Sequence, residues 1–166
     1  MSEALLKFAS QTVRVCVEDG WVVRVDLLPL GREPGFKPGP VRDPILKKAL
    51  SEIRDYLAGR RRRFTVPFRQ SGTPFQQAVW KALSRVPYGR VLSYSELAAL
   101  VGRPRAARAV GSAMRRNQLP LLVPCHRVVA GRGLGGFGCG LEWKKKLLEL
   151  EKVKDFSKRQ VPGAWS

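Results

Sequence analysis

Two unlike halves are expected: an α/β N-terminal domain built from a small β-sheet with a helix over residues 1–71, and a mostly α C-terminal domain containing a helix-turn-helix over residues 72–166, ending in a basic tail. Three observations predict this division. Alternating valines flank an Asp-Gly pair near the start, helical spacing with paired capping residues recurs from Thr73 onward, and Gln70-Ser71-Gly72 is a polar joint between the two patterns.

Val13 to Glu18 and Trp21 to Leu28 read as two strands around Asp19-Gly20, with Val13, Val15 and Val17 alternating against Val23, Val25 and Leu27; this is a β-hairpin. Residues 29 to 43 are rich in glycine and proline and read as a loop. Asp43 as N-cap and Pro44 at the first helical position start a helix whose apolar residues are Leu46, Ala49, Leu50, Ile53 and Leu57, with Gly59 placed to end it. The run Arg60 to Arg63 follows, and Phe64 to Phe68 reads as a further strand. Thr73, Pro74 and Gln76 make a capping-box start for a helix carrying Phe75, Val79 and Leu83, which stops before Pro87. Ser93 and Glu96 repeat the capping-box spacing, so Tyr94 opens a short helix with Leu97, Leu100 and Val101, closed by Gly102-Arg103-Pro104. A helix from Arg105 to about Arg116 follows after a three-residue turn, the spacing of a helix-turn-helix. Glycine-rich 131–140 and a last helix from Leu141 to about Lys154 complete the chain.

The 166 residues, 44% hydrophobic, suffice for one ordinary core or two small ones and exclude a compositionally disordered chain. No apolar run approaches the ~20 residues that span a bilayer, and Met1 to Ser10 carries Lys7 in a mixed stretch unlike a signal peptide. A cytoplasmic protein without membrane association is expected, nucleoid-associated if prokaryotic. Thirty-one Lys and Arg against 13 Asp and Glu leave a net charge of +18, which points to a polyanionic partner, DNA or RNA first. A basic surface serving solubility or heat tolerance is the alternative, although such surfaces mix both signs. Cys16, Cys125 and Cys139 form no CxxC pair, and with His126 as the single histidine a structural metal is not expected.

On the helix beginning at Arg105, Ala106, Ala107, Val110, Ala113 and Met114 share one side, while Arg105, Arg108, Ser112, Arg115 and Arg116 share the other. One face packs; the other is either a solvated basic face or a surface that neutralises phosphates. Arginines among alanines suit shape and backbone recognition better than base-edge reading, so weak sequence preference is expected. Further on, prolines Pro120 and Pro124 close the apolar stretch Leu119 to Val123, which delivers Cys125 and His126. A cysteine in an apolar setting is either inert core or a nucleophile, and a thiolate forms more readily beside cations or a base.

The run Pro124-Cys125-His126-Arg127-Val128-Val129 resembles the active-site signature of the O6-alkylguanine-DNA alkyltransferases, the methylated-DNA–protein-cysteine methyltransferases. The similarity extends back through Ser93-Tyr94, Leu97 to Leu100, Ala106 to Gly111, Met114-Arg115 and Asn117, and forward to Leu147-Leu148 and Glu151. It covers residues 73 to 151 strongly, whereas residues 1 to 72 match in general character only.

The resemblance implies repair of double-stranded DNA carrying O6-alkylguanine by a monomer without cofactor or metal. The alkyl group passes irreversibly to Cys125, once per molecule, after the nucleotide is flipped from the minor groove. His126 is linked to the cysteine through water, Glu151 orients His126, Tyr94 donates to the leaving guanine, and Asn117 holds the turn that positions the site. Arg108 fills the gap left by the flipped base, with Arg105, Ser112, Arg115, Ser93 and Ala106 as further DNA contacts. Tyr94, Met114, Val128 and Phe137 line the pocket. Phe137 stands where relatives often carry tyrosine, which bears on the range of adduct sizes; Cys139 reads as a small loop residue. Two other classes compete: a damage sensor that binds alkylguanine without accepting the group, and a cysteine hydrolase, for which an adjacent histidine is unusual.

Overall fold

The computed structural model describes residues 1–31, 35, 37–131 and 133–153. Cα packing divides the chain into two units: Met1–Gln70 with Gln118–Leu122, and Ser71–Asn117 with the described residues from Val123 onward.

In the first unit three antiparallel strands, β1 (Ser2–Phe8), β2 (Gln11–Glu18) and β3 (Trp21–Leu27), lie in the order β1-β2-β3. The expected hairpin is β2-β3, turning on Asp19 and Gly20 with φ of 51° and 78°, the twist-matched geometry that Asp-Gly favours. β1 escaped the sequence reading for two reasons. Its Leu5-Leu6 doublet blurs the period of two, and its turn runs through Ala9 at φ 52°, a residue type that does not advertise a left-handed position. Ala4, Leu6, Val13, Val15, Val17, Val22 and Val25 are buried, and the helix α1 (Pro44–Leu57) packs on the sheet. Asp43 caps α1 as expected, accepting from the amides of Ile45 and Leu46. Leu50 is only half-buried, and the sequence-unmarked Glu52 is buried in its row.

Phe64 to Phe68 is not a strand. It makes a single bridge, Phe68 to Val22, because Glu52 of α1 accepts the amide hydrogens of Thr65 and Val66 and Pro67 has none to give. Gln118–Leu122 joins this unit through Val25 N–H to Gln118 O at 2.9 Å, a link with no local signature in the sequence.

The second unit contains α2 (Pro74–Leu83), β4 (Leu92–Ser93), α3 (Tyr94–Leu100), α4 (Ala107–Arg115), β5 (Val128–Val129) and α5 (Leu141–Leu150). Both expected capping boxes, Thr73 with Gln76 and Ser93 with Glu96, are formed reciprocally. Val79 and Leu83 are buried with Trp80, whose indole donates to Ala113 O of α4 at 3.0 Å. A Cβ on Gly72 would lie 2.6 Å from that indole, so only glycine fits there. In α3, Leu97 and Ala98 form the buried side, whereas Leu100 is exposed.

The chain between α3 and α4 is longer than three residues. Gly102 at φ 76° and the Arg103 amide bond back to Ala99 and Ala98, and Ala106 N–H then bonds Arg103 O, a turn with Pro104 at its second position. Arg105 and Ala106 therefore precede α4 rather than belong to it. α5 ends at Leu150, short of the expectation, because Lys152 at φ 60° sends its amide to Glu149 O and that of Val153 to Leu148 O. Lys154, Lys158 and Arg159 of the expected helix end and tail lie outside the described residues. Among those described, no helix is long and apolar enough to cross a membrane.

Candidate active site

Pro124, at φ −79° and ψ 68°, is the centre of an inverse γ-turn in which the Cys125 amide donates to Val123 O at 2.8 Å. The ring of proline presets this φ, so the residue type and the turn agree. Asn117 donates to the same carbonyl at 2.9 Å and so pins the turn from the end of α4. Cys125–Arg127 continue as one 3₁₀ turn, and Val128-Val129 pair in parallel with Leu92-Ser93. This pairing brings the start of α3, with Tyr94, beside the segment leaving the cysteine.

His126 and Arg127 meet Glu151, the C-cap of α5. His126 Nε2 lies 2.6 Å from Glu151 Oε2, Arg127 Nε and Nη2 donate to the two carboxylate oxygens at 2.9 and 3.0 Å, and Gly89 N–H donates to Oε1 at 3.0 Å. All three side chains are buried. Burial alone would raise the Glu151 carboxyl, but His126 and Arg127 hold it well below the usual carboxylate range. Burial outweighs the pull of Glu151 on His126, whose pKa is lowered, so the imidazole is neutral near pH 7 and able to take a proton. Arg127 also donates to Val86 O at 2.7 Å, and its guanidinium stands 5.9 Å from the ring centre of Tyr88, whose hydroxyl donates to Leu150 O.

Cys125 is partly exposed as a residue, yet burial of its thiol pushes the pKa up to about 12; the hydrogen bond with Asn117 and the charge of Lys144 oppose this, while Cys139 adds to it. Lys144 is fully buried, and its ammonium donates to Val128 O at 2.6 Å and Gly136 O at 3.0 Å. Burial lowers its pKa to about 8, and it lies 6.0 Å from the centre of the Phe137 ring. Tyr94 donates to Gly136 O at 3.5 Å; burial and then the charge of Cys125 raise its pKa, against Arg115. A Cβ on Gly135 would meet the Ala130 amide at 2.9 Å and Tyr94 at 3.4 Å, so the loop closes on Tyr94 only through glycine.

Cys125, His126, Glu151, Asn117 and Tyr94 thus lie in one neighbourhood. Of the four residues expected to line a pocket, Tyr94, Met114 and Phe137 are half-buried, and Val128 is fully buried with its carbonyl held by Lys144. Arg108, Ser112 and Arg115 are exposed along α4, opposite buried Val110 and Ala113. Arg105 is exposed and Ala106 half-buried just before it, and Ser93 is buried with its hydroxyl accepting from Glu96 N–H. The sequence marks Arg127 only as part of a signature, and it gives Gly89 and Tyr88 no local mark. Lys144 sits on the buried side of α5 next to Trp143 and Leu147, a helical position where a lysine is anomalous, and that was its one available signal. Among the described residues no group of three His, Cys, Asp or Glu side chains could hold a metal ion.

Residues 74–153 match the family model for the 6-O-methylguanine DNA methyltransferase DNA-binding domain. The constitutive methylated-DNA–protein-cysteine methyltransferase of Bacillus subtilis is 49% identical over 112 residues, 66% of this chain and 68% of that one. The inducible enzyme of the same species is 46% identical over 72% of this chain and 67% of its own. The crystal structure of Mycobacterium tuberculosis OGT in complex with DNA superposes with a TM-score of 0.81 at 35% identity, covering 92% of this chain and 93% of that one.

Proposed function

The chain belongs to the methylated-DNA–protein-cysteine methyltransferase family, and we propose that Cys125 is the acceptor through which it performs the family's reaction, direct reversal of DNA alkylation by transfer to a cysteine. The observation that carries this assignment is the buried Arg127–Glu151–His126 array beside a thiol held in a proline-set turn.

Burial pushes the Cys125 pKa up to about 12, so the side chain rests as the thiol. Reaction requires its proton to leave. With Nε2 of His126 engaged by Glu151, the proton passes by way of water toward Nδ1, and the imidazolium so formed is stabilised by the carboxylate. The buried ammonium of Lys144 stabilises the thiolate electrostatically. Sulfur then attacks the alkyl carbon on guanine O6: an S–C bond forms, the C–O bond breaks, and its electron pair stays with guanine. Guanine leaves as the neutral base by gaining the proton that the thiol lost, with the Tyr94 hydroxyl as hydrogen-bond donor. The thioether has no route back to a thiol, so each molecule reacts once.

We read α3, its turn and α4 as a helix-turn-helix that meets duplex DNA through Arg108, Ser112 and Arg115 in the minor groove, with Arg105, Ala106 and Ser93 at its edge. The exposed cations with small residues support backbone and shape recognition. Arg108 fills the stack when the alkylated nucleotide rotates out, a step costing a few kcal/mol. We take the protein to act as a monomer on double-stranded DNA, each chain carrying the thiol, the imidazole and the cationic face.

The deciding measurement is intact mass after incubation with duplex DNA carrying one O6-methylguanine. Wild type should gain about 14 Da and stop at one equivalent, and Cys125→Ser should gain nothing. Binding without mass gain would point to a damage sensor instead. Arg108→Ala should slow repair of duplex by roughly 10- to 100-fold while leaving reaction with free O6-benzylguanine near wild type; equal slowing of both would remove the wedge role.

A further inference from the structure

The run Arg60 to Arg63 has no part in the chemistry above, and neither does the outward face of α1. Between residues 44 and 63 the chain carries seven Lys and Arg against two carboxylates, Glu52 and Asp55. Both carboxylates are already committed. Asp55 pairs with Arg60 at 3.0 Å, and Glu52, buried at 3% exposure, accepts from the amides of Thr65 and Val66 and from the Thr65 hydroxyl while pairing with Arg61 at 3.5 Å. Together with the Phe64 ring packed 5.3 Å from that of Tyr56, these bonds fold the arginine segment back against α1. The segment is held by a buried anchor, in contrast to the open solvation usual for a charge run.

The result is a concentration of exposed cations on α1 and on the segment held beside it. Lys47, Lys48 and Arg54 are exposed on α1, and Arg62 and Arg63 are exposed on the segment that Glu52 secures beside it. Lys47 and Arg54 are two helical turns apart, about 10 Å, which spans roughly three phosphates along one strand of B-form DNA. On the sheet of the same unit the pattern is opposite, because Arg14 pairs with Glu3 and Arg24 with Asp26. Like charges gathered on one helix repel one another, and an anionic partner removes that penalty.

We propose that this face of the first unit is a second contact for the phosphate backbone of duplex DNA, independent of sequence and of damage. It rests on the reading of the chain as a duplex-DNA repair protein, and adds to it a unit that carries none of the alkyl-transfer residues. Its role is to hold the protein on undamaged DNA, where the search for rare lesions takes place; phosphate contacts alone suffice, since they carry no sequence information.

The test is the salt dependence of full-length protein binding to an undamaged 40-bp duplex, comparing wild type with Lys47→Gln/Lys48→Gln/Arg54→Gln/Arg63→Gln. The slope of log K against log salt concentration should fall in magnitude by about 3 to 4, with affinity at low salt at least tenfold weaker. A charge-preserving variant, Lys47→Arg/Lys48→Arg/Arg54→Lys/Arg63→Lys, should retain the wild-type slope, and all three proteins should react with free O6-benzylguanine at the same rate. An unchanged slope in the glutamine variant overturns the second contact while leaving the repair reading intact. Absence of salt-dependent duplex binding by wild type overturns both.

Discussion

Glu52 of the first unit and Glu151 of the second are equally buried, and each is tied to a segment distant in sequence, but they are satisfied by different chemistry. Glu52 takes neutral donors, the amides of Thr65 and Val66 and the Thr65 hydroxyl, with Arg61 at the margin. Glu151 takes a buried guanidinium and a buried imidazole, with one amide besides. A carboxylate on backbone amides fixes the path of a loop. A carboxylate shared between Arg127 and His126 also opposes the lowering of the His126 pKa by burial, and so favours the proton that the base beside the thiol has to take. Burial thus serves geometry in one unit and reactivity in the other.

Removing the charge from each glutamate separates these roles, and the largest effect is expected at Glu151. Glu151→Gln leaves buried Arg127 without a counter-charge, which should cost about 3–5 kcal/mol of stability. In the fraction that folds, alkyl transfer to Cys125 should slow by roughly 10- to 100-fold, as when the orienting partner of a working histidine is lost. Thermal melts and single-turnover rates check the two parts; a wild-type rate in Glu151→Gln would show that the carboxylate is structural only. Glu52→Gln should cost about 1–3 kcal/mol through unsatisfied amides and leave the rate per folded molecule unchanged.

Acid sharpens the contrast. Both carboxyls are held below their unfolded values, although burial alone would raise each; their stabilisation is complete above about pH 4.5 and is lost as pH falls through the folded values. His126 is also lowered, so the unfolded state takes its proton first, and stability begins to fall below about pH 6.5. Glu52→Gln should therefore keep the fall that starts near pH 6.5 and lose part of the one below pH 4.5, measured by urea denaturation across pH. The smallest change is Thr65→Val, which deletes one of several bonds to Glu52 and should cost about 1 kcal/mol without altering either the transfer rate or the fall near pH 6.5.

Local signals carried the sequence reading furthest. Asp43-Pro44, Thr73 with Gln76, Ser93 with Glu96, and Asp19-Gly20 each encode their own backbone within a few residues, and each forms the expected cap or turn. Where a turn lacked such a signal, as at Ala9, the strand before it went unread. The strand expected at Phe64 to Phe68 failed for another reason: its donors were claimed by Glu52, 13 and 14 residues away, and propensity is blind to that competition. The start of α4 moved because the turn closing α3 ran on through Ala106.

The sequence by itself determined the chemistry on offer: a thiol beside the only imidazole, a proline to set the turn, and a large excess of cations. Those are properties of residue type and near neighbours, and they survive without any knowledge of packing. Which groups act on one another was decided only in the tertiary structure. Glu151 reaches His126 across 25 residues, Lys144 comes under the loop that carries Gly136, and Glu52 draws the arginine run onto α1. Burial made those meetings consequential, because a charge removed from water must find its partner in the fold, and the partner then sets whether it holds a chain in place or moves a proton.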